Sequence, residues 1–380
     1  MKRLVLTNAQ IVTPDRVYLG TVVMSGGVIE DASPGIVRSQ GAVDCGEDYL
    51  LPGLVESHTD NLEKMLVPRA GVLWPSPLSA LMAHDVQMVH AGVTTVLDAL
   101  CCGQFHESSL RQVILDHSVE AIDKATSQGL LRAEHYLHLR CELADPNMLR
   151  FFEPYSGHSR LKLVSLMDHT PGQRQFCDPK EYRRFFQSRA NWTDEGFEAA
   201  LPKLIEDQRR HAAEHKARVV EHCTRQCIPM ASHDDATTDH VDEARGDGVI
   251  VSEFPTTREA AARAKQNNMK ILMGSPNVVR GSSHTGNISA LELAETGLLD
   301  ILSSDYAPIS ILHAVFALHR KLGISLPEAT AMASSTPASV LGFSDRGAIS
   351  TGLRADIIRV ALTGEVPVVR SVWRQGRMVF

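Results

Sequence analysis

No stretch of this chain is apolar over the roughly 20 residues that a membrane-spanning helix needs. The opening Met1-Lys2-Arg3-Leu4-Val5-Leu6 has too short an apolar part to be a signal peptide. An excess of positive charge is missing too: the net charge is −7, so nothing global draws the chain to nucleic acid or to an anionic membrane. Cations for a polyanionic ligand must therefore be local. The seven cysteines include no Cys-x-x-Cys pair, and neither Cys101-Cys102 nor Cys223-x3-Cys227 is spaced for a structural zinc. Reduced, buried thiols in a cytoplasmic setting are expected. Internal repeats and low-complexity tracts are absent, as is a Gly-x-Gly-x-x-Gly after the first buried strand, which counts against a doubly wound nucleotide-binding sheet.

The chain that remains has an ordinary globular composition, 43% hydrophobic and 22% charged, and 380 residues suffice for one large domain and a smaller one. Residues 1–50 read as short strands at Leu4 to Leu6, Gln10 to Val12, Thr21 to Met24 and Val28 to Glu30, broken by turn clusters such as Ser25-Gly26-Gly27. Residues 345–380 have the same texture. The two ends are expected to pair into one small β-sandwich domain. Residues 51–344 alternate buried-strand and helix patterns. Strands are expected over 53–57, 94–99, 136–142, 161–167, 228–232, 248–253, 270–273 and 299–303, with helices such as 78–91 and 193–227 between them. Eight βα units predict an α/β (β/α)8 barrel of the TIM type, with its chemistry at the C-terminal ends of the strands.

Those ends carry a pattern. The run Leu50-Leu51-Pro52-Gly53-Leu54-Val55-Glu56-Ser57 leads into His58-Thr59-Asp60, and the period of two puts His58 and Asp60 on one side. The third strand exits at Glu142, with His138 and Arg140 on the same side. The fourth runs into Asp168-His169, the fifth into His233-Asp234-Asp235 and the eighth into Asp305. Histidines and carboxylates repeated at one rim are donors for a divalent metal of intermediate softness. His84, His90, His211, His215, His222, His313 and His319 fall inside helical stretches and read as surface or packing residues. His284 follows a strand among glycines, where backbone N–H groups suit an anion. The polar loop 172–194 has the character of a substrate-binding insertion.

Pro52-Gly53-Leu54-Val55 before the metal pair, Asp305 after the eighth strand and Gly352-Leu353-Arg354-Ala355-Asp356 before the last strands resemble the amidohydrolase superfamily. More narrowly, four segments resemble the α-D-ribose 1-methylphosphonate 5-triphosphate diphosphatase family of the carbon–phosphorus lyase pathway. They are His58-Thr59-Asp60-Asn61-Leu62-Glu63-Lys64, Asp168-His169-Thr170-Pro171-Gly172-Gln173, Ser232-His233-Asp234-Asp235 and Gly274-Ser275-Pro276-Asn277-Val278-Val279-Arg280-Gly281. The resemblance implies hydrolysis of a small triphosphorylated ribose phosphonate, with release of pyrophosphate. It also implies two divalent ions, zinc before manganese or iron, held by His58, Asp60, Glu142, His169, His233 and Asp305. Glu142 would bridge them in place of the superfamily's carboxylated lysine, and Asp305 would be the general base. Asn61, Glu63, Lys64, Arg69, Arg174, Arg280 and His284 are the expected substrate contacts, and a homodimer is compatible with this reading. Two other classes fit the scaffold: a metal-dependent C–N hydrolase, which would not need Lys64, Arg174 and Arg280, and a metal-free binding protein, which would have lost its ligands.

Overall fold

The computed structural model describes residues 3–103, 110–174, 183, 193–283 and 286–380. Strands from both ends of the chain share one sheet. β1 (Leu4–Val12), β2 (Val17–Ser25), β3 (Val28–Pro34), β4 (Val43–Asp44) and β5 (Tyr49–Pro52) are joined there by β14 (Ile357–Thr363), β15 (Val366–Arg374) and β16 (Arg377–Met378). The order is β16-β15-β14-β5-β1-β2-β3, with β4 beside β1. The termini meet where β14 runs antiparallel to β5, Ile357 opposite Pro52 and Val360 opposite Tyr49. Ile29 N–H bonds to Leu353 O, and Gly352 N–H to Ile29 O, drawing the β2–β3 hairpin against the segment before β14. Leu6, Ile11, Met24, Ile29, Leu50, Ile357 and Trp373 fill the core so enclosed.

The central sheet is parallel throughout. It consists of β6 (Leu54–Thr59), β7 (Val93–Cys102), β8 (Glu134–Glu142), β9 (Leu161–Met167), β10 (Met230–His233), β11 (Val251–Glu253), β12 (Lys270–Gly274) and β13 (Ile301–Ser303), in that order. A bridge between Thr59 and Asp305 joins its edges. Asp60 N–H donates to Asp305 O at 3.0 Å, and Asp305 N–H to His58 O at 3.1 Å. The expected (β/α)8 barrel is present, each strand close to its expected place. Val55, Leu97, Leu163, Ala231, Val251, Leu272 and Ile301, each from a different strand, form an inner layer with Tyr136 of β8 against it. Every residue of β7 is buried, because helices cover the outside and side chains fill the inside. At Gly53 a Cβ atom would come within 2.3 Å of Thr94 Oγ1, so only glycine lets β6 start this close to β7.

Helix ends follow their local chemistry. The long helix Asp194–Gln226 begins where Thr193 Oγ1 accepts the Gly196 N–H at 3.1 Å, and it stops where Cys227 turns left-handed at φ 54°. Most of the polar loop 172–194, and His284, lie outside the described residues. Among the described residues no helix is long and apolar enough to cross a membrane.

Candidate metal centre

Three imidazoles at the C-terminal rim are held alike. His58 Nδ1 lies 2.6 Å from Glu253 Oε1, His233 Nδ1 lies 2.7 Å from Glu253 Oε2, and His169 Nδ1 lies 2.6 Å from Glu142 Oε2. A carboxylate accepts only, so each Nδ1 carries the proton. The opposite nitrogens face other carboxylates at longer range. His58 Nε2 stands 3.4 Å from Asp60 Oδ1, while His169 Nε2 and His233 Nε2 stand 3.5 and 3.6 Å from Asp234 Oδ2. Two donors each about 2.1 Å from one ion at a tetrahedral angle are about 3.4 Å apart. The donor atoms converge into two groups, His58 with Asp60 and Asp305, and His169 with His233 and Asp234, each spanning no more than 4.8 Å. Carboxylate behind, imidazole between and open Nε2 in front is how proteins orient histidine for a divalent metal. The residues fit such an ion.

The backbone supports the same reading. Asp234 and Asp305 both adopt left-handed φ, 58° and 51°, and sit just past β10 and β13. Aspartate tolerates this region at a cost, and such strain concentrates where a side chain must be aimed. Glu56, fully buried, accepts His58 N–H at 2.8 Å and Ser304 N–H at 2.7 Å, so it ties β6 to the segment after β13 directly beneath the ligands. Burial pushes its carboxyl up to about 7.

Burial opposes charge on His58, yet the carboxylates of Glu253 and Asp60 together outweigh it and raise the imidazole to about 10. Glu142 and Asp234 together do the same for His169 against its burial, raising it to about 9. Imidazoles that keep protons this firmly mark a pocket of negative potential, where a divalent cation displaces protons from its ligands. His138 goes the other way: burial holds it down to about 3, so it stays neutral. Its Nδ1 meets Ser57 O at 3.1 Å and its Nε2 lies 2.6 Å from Ser165 Oγ, which in turn lies 2.8 Å from Glu253 Oε2. Burial, and then the charge of Asp60, push Asp305 up to about 6.

The structure brings His58, Asp60 and Asp305 into one group and His169 and His233 into the other. It does not put Glu142 between them. Both Glu142 oxygens are taken by His169, Oε1 by its backbone N–H at 2.9 Å and Oε2 by Nδ1, and Glu142 belongs to neither donor group. Asn61 is also misplaced for substrate contact. Only 4% exposed, it donates through Nδ2 to His84 Nδ1 at 2.9 Å and to Gln87 Oε1 at 2.8 Å, because the helix Asn61–Leu66 turns it inward. Glu63 Oε1 accepts the Cys101 N–H. Lys64 Nζ reaches Tyr306 O at 2.9 Å across the loop after β13. Arg69 and Arg280 are exposed, Arg280 at the end of the helix Ser275–Arg280. Arg174 binds His233 O and Asp235 Oδ1, which fixes the turn after β10.

Glu253, Asp234, His138 and Arg140 were not among the expected site residues. Glu253 and Asp234 had a legible signal, since Glu253 ends β11 and Asp234 directly follows β10 in the run His233-Asp234-Asp235, at the rim that carries the other donors. His84 is not a surface residue. It is fully buried, with Nε2 2.7 Å from Asp98 Oδ1, while Asp98 Oδ2 lies 2.8 Å from His135 Nδ1. The Asn61 amide donates to His84 Nδ1, so Nε2 carries the proton and this trio is a hydrogen-bonded chain, not a metal site.

A parallel eight-stranded barrel with histidine–carboxylate groups at its C-terminal rim defines a metal-dependent hydrolase barrel, and the Amidohydrolase family matches residues 198–379. The chain is 40% identical to the alpha-D-ribose 1-methylphosphonate 5-triphosphate diphosphatase of Escherichia coli (strain K12), over 99% of this chain and 100% of that one. It belongs to the family of that diphosphatase. Among solved structures, N-isopropylammelide isopropylaminohydrolase from Burkholderia multivorans superposes with a TM-score of 0.65 at 14% identity, covering 100% of this chain and 98% of that one. N-acetylglucosamine-6-phosphate deacetylase from Pasteurella multocida does so at 0.62 and 13%, with 99% of each chain covered. At that identity the two structures speak for the fold alone.

Proposed function

We propose that this protein hydrolyses α-D-ribose 1-methylphosphonate 5-triphosphate to the 5-phosphate and pyrophosphate, with two divalent ions at the barrel rim. End-to-end likeness to the Escherichia coli diphosphatase carries the substrate, and the paired donor groups agree with the chemistry. His58, Asp60 and Asp305 would hold one ion, and His169, His233 and Asp234 the other, with Glu253 and Glu142 orienting the imidazoles. Imidazole and carboxylate donors suit zinc first and accept manganese or iron. Ions bound there supply Lewis acidity toward a phosphoryl oxygen and a water acidic enough to attack at neutral pH.

The rest falls to the chain. Water adds to the phosphorus nearest the ribose, the bond to the bridging oxygen breaks, and pyrophosphate leaves. Asp305, made a better base by burial and by Asp60, takes the proton of the attacking water. Lys64, Arg280 and His284 are the proposed contacts for the phosphates that depart. The test offers metal-reconstituted protein the triphosphate and a set of ring amides side by side. Pyrophosphate appearing in step with the 5-phosphate is expected. Amide hydrolysis without pyrophosphate release overturns the reading in favour of a C–N hydrolase.

A further inference from the structure

Arg140 is a buried cation at the rim that none of the chemistry above uses. It lies on β8 two residues before Glu142, so the pleat turns both side chains to the same face. Its side chain is 13% exposed. One hydrogen bond is made, from Nη1 to Asp60 Oδ1 at 3.0 Å, and Nε is buried with no partner among the described residues. A guanidinium has five N–H donors in a fixed fork. Asp60 takes one, and among the described residues Nη2 makes no hydrogen bond. Arg140 thus sits against the His58–Asp60–Asp305 donor group, and its charge also acts on Asp305 and on Asp234 of the other group. A buried cation with a largely unspent fork is costly unless a ligand completes it.

We infer that Arg140 is a catalytic and specificity-determining residue, its free Nη2 edge holding a non-bridging oxygen of the phosphoryl group under attack. The inference rests on the phosphohydrolase reading and deepens it. A transferred phosphoryl group carries spread negative charge on its equatorial oxygens, which a planar fork matches. An amide carbonyl offers a single oxygen, which a planar fork matches less fully than the equatorial oxygens of a phosphoryl group. Lysine in its place keeps the charge but loses the fork.

The experiment uses metal-reconstituted protein and two variants, Arg140→Met and Arg140→Lys. Metal per chain, kcat and KM for the triphosphate, and binding of orthovanadate, a mimic of the phosphoryl group in flight, are measured together. Both variants should keep their metal, lose kcat by on the order of 100-fold with KM changed only a few-fold, and bind vanadate about tenfold more weakly. Wild-type vanadate binding in Arg140→Lys, or kcat within about threefold of wild type, overturns the inference and leaves Arg140 as a partner of Asp60. If Arg140→Met misfolds or sheds its metal, Arg140→Lys decides alone. A wild type that binds vanadate in an Arg140-dependent way but releases no pyrophosphate overturns the substrate reading and not this one. A wild type that binds no vanadate overturns this one.

Discussion

His58 and His233 stack face to face, ring centroids 5.9 Å apart and planes 19° from parallel, with their Nδ1 atoms on opposite oxygens of Glu253. One carboxylate thus sets the tautomer of a histidine in each donor group. Glu253→Gln leaves one oxygen where two were, so one imidazole loses its acceptor. Metal affinity should fall about 10- to 100-fold, read by competition with a chelator of known affinity. An unchanged affinity would mean that the histidines hold their orientation without Glu253.

Asp305→Asn keeps an oxygen at the ligand position but removes the proton acceptor. The variant should retain most of its metal while turnover falls by on the order of 100-fold. Turnover within a few-fold of wild type would hand the role of base to another group.

Glu134 fastens the C-terminal segment to the barrel, accepting from Arg346 Nη1 at 2.8 Å and Arg354 Nη1 at 2.5 Å on a single oxygen. Burial acts to raise its carboxyl, but Arg354 and Arg346 outweigh burial and pull it from 4.5 down to about 2. A depressed carboxylate stabilises the fold fully above its unfolded value, and that stability is lost as pH falls through the folded value. Between pH 5 and pH 2 the native state should therefore lose on the order of 2 kcal/mol through this group, allowing for its partial exposure. Denaturant unfolding of wild type and Glu134→Gln across that range is the check. The two slopes against pH should differ, and parallel slopes would remove Glu134 from the account.

His84→Leu breaks the buried chain that runs from Asn61 through Asp98 to His135 and, at 3.4 Å, to Asp85. It strands one oxygen of Asp98, a fully buried carboxylate. A loss of about 3 kcal/mol is expected in equilibrium unfolding. A loss under about 1 kcal/mol would mean that neighbours or water replace the imidazole.

The barrel was legible because its strands are short apolar runs with turn residues between them. His58 and Asp305 were legible because a strand end has a known direction. Side-chain partners were not. The period of two told which side of β8 Glu142 takes, but not that the His169 main chain returns to within 2.9 Å of it. Asn61 follows the ligand pair in sequence, yet the helix that starts there turns it from the rim toward His84. Glu253 was read only as the end of a strand. Its importance comes from what β6 and β10 place on either side, a relation between strands that no single segment contains.

Thr59 Oγ1 donates to Asp305 O across 246 residues of chain, joining the first strand of the barrel to the last. One donor group draws on both sides of that seam: His58 and Asp60 are made early in synthesis, and Asp305 comes only when most of the chain is out. The second group, from β9 and β10, is complete in sequence before the first. On the two-ion proposal the two donor groups would therefore be completed at different stages of assembly. An ion beside Asp305 would require that the ring has closed, because Asp305 reaches the group only through the β6–β13 seam.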